Sequence, residues 1–147
     1  MLLEAAVAAA LAQGADLNCS SALSATTRFT RLSQEAVGSP PKVVERYQVP
    51  PGVTAYGRPL TGMTLEGERV RDQMLTHLRL HYADSFEVVS ASAAQAVGAP
   101  CTPIQTAPRC ELPNTRHVLA DYKVHVVRRS TGGEVMCTQV PPEDDDW

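Results

Sequence analysis

Aromatic side chains are scarce in this sequence. Phenylalanine, tryptophan and tyrosine together make up 5% of it, so a core has to be filled mainly by valine, leucine, alanine and methionine. Basic clusters are missing too: Arg128-Arg129 is the only adjacent basic pair, and the net charge is −3. Nucleic acid is held through clustered lysine and arginine, so no nucleic-acid partner is expected. No apolar run reaches the roughly 18 residues that a membrane-spanning helix requires, so no membrane span is expected. There is no Cys-x-x-Cys pair, which removes the common zinc-knuckle and thioredoxin patterns. There is no Gly-x-Ser-x-Gly elbow for a nucleophilic serine. "STGGE" (130–134) lacks the lysine and the following helix of a phosphate-binding loop. No cofactor is expected.

What is present describes a globular chain. Of 147 residues, 44% are hydrophobic and 20% charged, enough apolar surface for one domain with a real core. The stretch "MLLEAAVAAALAQGA" (1–15) resembles the apolar region of a signal peptide, with Ala10-Leu11-Ala12 as a small-x-small cleavage pattern. Glu4 and the absence of an early lysine or arginine count against it, and an Ala-rich N-terminal helix is the alternative. Four cysteines, Cys19, Cys101, Cys110 and Cys137, are an even number and fit an oxidising compartment. Of the three possible connectivities, Cys101–Cys110 with Cys19–Cys137 is favoured, the first closing the proline-stiffened loop "CTPIQTAPRC". A periplasmic or extracellular location is the expectation, with the cytoplasm as the alternative. "DLNC" lacks the small residues that precede a lipidated cysteine. Asn18-Cys19-Ser20 matches a glycosylation sequon, but a disulfide at Cys19 would crowd it.

Along the chain, residues 16–41 read as a weakly structured lead-in with a short helix around Thr26–Ala36. A single α+β domain is expected over 42–141, and an acidic tail over 142–147. "KVVERYQV" (42–49) alternates as a strand. In "TLEGERVRDQMLTHLRLHYA" (64–83), Thr64 can cap a helix, and Val70, Met74, Leu78 and Tyr82 recur every four residues, which predicts a long amphipathic helix. "FEVVSASA" (86–93) reads as a strand. Residues 117–129 and 134–140 read as the arms of a long hairpin about "STGG". The resulting layout is one helix packed on a curved antiparallel sheet of about four strands, a roll resembling the cystatin-like and NTF2-like architectures in layout alone. "QAVGA" (95–99) lacks the residue that would make it the protease-binding loop of cystatins.

The one motif with a chemical claim is "HLRLHYAD" (77–84). On a helix, His77 and His81 stack on one side, with Asp84 near them, as metal ligands would. Leu78 stands where a zinc protease carries its glutamate base. On the helical wheel both rings flank the buried stripe, which makes them border residues, with a metal site of His77, His81 and Asp84 as the minority reading. His117 and His125 are expected to face solvent on the hairpin. The functional expectation is therefore an exported interaction module, an inhibitor, an immunity-type protein or an envelope accessory, that binds a protein partner and is not an enzyme. Its contact surfaces would be the cysteine loop, with Thr102, Ile104 and Arg109, and the hairpin tip, with Arg128, Arg129 and Thr131. The alternative is a small metal-binding protein or enzyme with a pocket at the helix–sheet junction.

Overall fold

The computed structural model describes residues 16–39, 41–70, 73–116 and 121–140. The N-terminal run 1–15, His117 and the tail 142–147 lie outside the described residues, as do the side chains of Val70 and Met74. In chain order the elements are helix α1 (Cys19–Ala25), a 3-10 turn (Thr26–Arg28), strands β1 (Thr30–Val37), β2 (Lys42–Gln48), β3 (Thr54–Ala55), β4 (Arg58–Pro59), β5 (Gly62–Val70) and β6 (Gln73–His81), and helix α2 (Phe86–Val97). They continue with β7 (Thr102–Pro103), β8 (Arg109–Arg116), β9 (Asp121–Arg129) and β10 (Gly132–Val140).

Eight strands form one antiparallel sheet in the order β1-β2-β5-β6-β10-β9-β8-β7, beside a separate two-stranded hairpin of β3 and β4. This overturns the expected roll of one long helix on about four strands. The predicted helix 64–83 is the β5–β6 hairpin, paired from Gly62↔His81 out to Val70↔Gln73. The reason is alternation. Leu78, Leu80 and Tyr82 are buried, while His77, Arg79 and His81 between them are only partly covered. Residues spaced by four satisfy a period of 2 as well as one of 3.6, so the same leucine and tyrosine positions fit either element.

The predicted strand 86–93 is the N-terminal part of α2. Ser85 caps it by accepting a hydrogen bond from the Val88 N–H at 3.3 Å. Glu87 sits in the first turn, where the helix dipole favours acid. Gly98 closes the helix in the left-handed region, φ 72°, its N–H donating to the Ala94 carbonyl at 2.9 Å. The lead-in also carries regular structure: α1, then the 3-10 turn, then β1 where a helix was expected. α1 starts with a reciprocal capping box between Asn18 and Ser21.

Register puts the apolar residues on one face. Met63 and Val135 flank Leu80, Leu65 and Cys137 flank Leu78, and Val135 and Cys137 lie beside Val126 and Val124. Both helices pack on this face, contributing Cys19, Ala22, Val89 and Ala93, each at most 1% exposed. Two disulfides brace it: Cys19–Cys137 ties α1 to β10, and Cys101–Cys110 closes the loop through β7 onto β8. These are the pairs favoured from the sequence. The C-terminal hairpin of β9 and β10 turns on Ser130-Thr131, with Arg129 paired to Gly132. Gly132 and Gly133 belong to β10 rather than to the turn. A Cβ on Gly133 would lie 2.8 Å from Val89 Cγ2, and one on Gly132 would strike the Tyr82 carbonyl, so both glycines let β10 pass close beneath α2 and its lead-in.

Candidate functional site

The two surfaces expected from the sequence form one. β8 and β9 pair Arg109 with Val127, and the Arg128 N–H donates to the Pro108 carbonyl at 2.9 Å. The Ile104 N–H donates to the Arg109 carbonyl at 3.1 Å, and the Cys101–Cys110 bridge holds Thr102 of β7 against Glu111 of β8. Thr102, Ile104 and Arg109 therefore share the end of the sheet with Arg128, Arg129 and Thr131. Thr102, Arg128, Arg129 and Thr131 are exposed, Ile104 and Arg109 half-buried. Arg128 lies over the Phe86 ring, 4.6 Å from its centroid, and pairs with Glu87 at 2.6 Å. The patch is thus built from β7, β8, the hairpin tip and the start of α2.

His77, His81 and Asp84 are not brought together. Both histidines lie on β6, where four residues of extended chain separate them by about 13 Å. Arg79 stands between them. Asp84 lies beyond the strand in a two-point ion pair with Arg58, at 2.8 and 3.1 Å, which holds its carboxyl below the usual carboxylate range. Among the described residues, no group of three or more histidine, cysteine, aspartate or glutamate side chains is placed to hold a metal ion.

The sheet face opposite the helices holds a second arrangement, which reading β5 and β6 as a helix conceals. Lys42, Glu66, Arg79, Glu134 and Arg129 form a line of alternating charge across β2, β5, β6, β10 and β9. Arg79 is the centre, its Nε donating to Glu66 Oε1 and its Nη1 to Glu134 Oε2, both at 2.8 Å. The carboxylates are covered, with side chains 11% and 4% exposed. Burial alone would raise the Glu66 pKa, but Arg79 and then Lys42 outweigh it and hold the group below its ordinary value.

His81 adjoins this line. Its Nε2 is 2.7 Å from Thr64 Oγ1 and its Nδ1 3.4 Å from Glu134 Oε1. Hydroxyl, imidazole and carboxylate stand in the order of a nucleophilic relay. Thr64, however, is 4% exposed in the first half of β5, and Glu134 Oε2 already accepts from two arginines. The geometry suits a scaffold better than an attacking hydroxyl. His125 is not the solvent-facing residue expected: its side chain is 13% exposed, and its buried Nδ1 has no hydrogen-bond partner among the described residues.

Burial pushes the pKa of His77, His81 and His125 down, against the pull of carboxylates 3.4–3.7 Å away. Burial and the flanking cations prevail over these long contacts, so the rings are neutral at pH 7. Below the unfolded value of about 6.5, the unfolded chain then binds protons that the native state refuses. Stability is expected to fall as pH drops from about 6.5 through the depressed native values. Glu66 adds to the loss further down, as pH falls through its own lowered pKa. Urea unfolding midpoints between about pH 7.5 and 5 measure this, and His125→Leu should make the decline shallower. A midpoint that stays level across that window would contradict it.

No protein-family model, curated protein or solved structure matches the chain. Among the described residues, no helix is long and apolar enough to cross a membrane.

Proposed function

We propose that this protein is an exported binding domain that acts by protein–protein contact through the end of its sheet. The observation that carries the reading is the union of the cysteine loop and the hairpin tip into one surface, joined by the Arg128 N–H to Pro108 carbonyl bond. Such a surface on a disulfide-closed loop and a two-residue turn is ordered before a partner arrives, which lowers the cost of association. Arginine beside an aromatic ring, as Arg128 lies over Phe86, is a composition enriched at contact surfaces. The two disulfides support an oxidising compartment.

The test is partner capture with the intact chain, compared with Arg128→Glu/Arg129→Glu and with Cys101→Ala/Cys110→Ala. Both variants should lose at least about tenfold in affinity for the captured protein while keeping the fold, as followed by circular dichroism. A partner retained equally by both would place the contact surface elsewhere.

A further inference from the structure

The patch carries three arginines, Arg109 on β8 and Arg128 and Arg129 at the end of β9. Arg109 has no carboxylate at ion-pair distance among the described residues, and the acid beside Arg129 is the buried Glu134, which Arg79 shares. Among the described residues, the exposed acids there are Glu87, on Arg128, and Glu111, two residues from Arg109 on β8 and paired with Thr102. The chain as a whole is acidic, with a net charge of −3, and its densest acidic run is Glu143-Asp144-Asp145-Asp146. That run follows Val140, the last residue of β10, after Pro141-Pro142.

The topology separates the two charges within one molecule. β10 runs away from the hairpin tip for nine residues, so Val140 lies about 27 Å from Gly132 at the tip. Asp146 is six residues past Val140, at most about 22 Å of fully extended chain. To approach its own arginines the chain must also reverse direction, and a turn takes about four residues. A second molecule meets no such limit.

We propose that the arginine patch of one copy receives the acidic segment Glu143–Asp146 of a second copy. This rests on the reading of the patch as a contact surface and names a partner for it. The contact joins different surfaces of the two molecules, so it propagates into chains or closes into rings or reciprocal pairs. It is electrostatic, exposed and salt-sensitive.

The sole tryptophan, Trp147, adjoins the acidic run and reports on it directly. With the full-length chain, sedimentation coefficient and tryptophan anisotropy should both rise between about 10 μM and 1 mM protein and fall back in roughly 0.5 M salt. Truncation after Val140 should leave a monomer. Arg128→Glu/Arg129→Glu and a variant with lysine at 143–146 should each be monomeric alone and associate when mixed. A chain that stays monomeric to about 1 mM overturns the proposal. So does association that survives the truncation, or a high anisotropy independent of concentration, which would put the segment on its own molecule. Truncation leaves the patch intact, so capture of a different protein by the truncated chain would preserve the contact-surface reading while this inference failed. Arginine substitutions that change neither self-association nor capture would fail the contact-surface reading itself.

Discussion

Replacing Cys19 and Cys137 together by alanine is expected to lower stability by roughly 5 kcal/mol, the cost that chain entropy assigns to opening a loop of about 118 residues. Opening the Cys101–Cys110 loop, with a separation of 9, should cost roughly half as much. Domains of this size are stable by about 5–15 kcal/mol in all, so the first double substitution removes a third of that or more. Its local consequences follow from α1. Seven residues make too short a helix to persist alone, and α1 is held by the bridge to β10 and by Tyr56, whose hydroxyl oxygen accepts from the Cys19 N–H at 3.0 Å. Without the bridge, protease cleavage should appear first around residues 19–28, before the sheet is cut. Urea midpoints of the two double variants decide the order. A Cys101→Ala/Cys110→Ala chain as weak as, or weaker than, the Cys19→Ala/Cys137→Ala chain would contradict the entropic argument.

The pairing of the cysteines was readable because it depended on count and loop length. The main helix was misread because its evidence was spacing. Leu78 and Tyr82 satisfy a helical stripe, and only Leu80, buried between them, separates the two readings. A helical wheel turns Leu80 to the far side, whereas in alternation it joins Leu78 and Tyr82. For α2 the decisive marks, Ser85 before it and Gly98 after it, lie outside the stretch 86–93 that reads as a strand. That Arg109 and Arg128 lie side by side is not legible in the sequence, because it depends on how β8 registers against β9. The charge line was not legible at all. It exists only when β2, β5, β6, β10 and β9 lie side by side, an order set by pairings far apart in sequence.

That line carries the other large effect. Arg79→Met is expected to destabilise the protein by about 3–5 kcal/mol, the usual consequence of removing one partner from a covered ion pair. Among the described residues, Arg79 is the only one that pairs with both Glu66 and Glu134. Without it Glu66 retains Lys42 at 3.3 Å and Glu134 retains Arg129 at 3.1 Å, both cations well exposed and therefore weaker partners. These residual pairs place the effect toward the lower end of the range. The cost lies in the stranded carboxylates rather than in the lost attraction, so removing them as well should reverse it. Arg79→Met/Glu66→Leu/Glu134→Leu is expected to recover most of the deficit, because three apolar side chains leave no buried charge to compensate. Acid distinguishes the same cause: as pH falls toward the lowered pKa of Glu66, the gap between Arg79→Met and the parent should narrow. Urea unfolding of the three chains near pH 7 and at about pH 4 measures both effects. A single substitution costing under about 1 kcal/mol would make the line a solvated surface, whose pairs contribute that little. A triple variant no better than the single one would mean that the charges fix the strand order of the sheet rather than merely compensating one another.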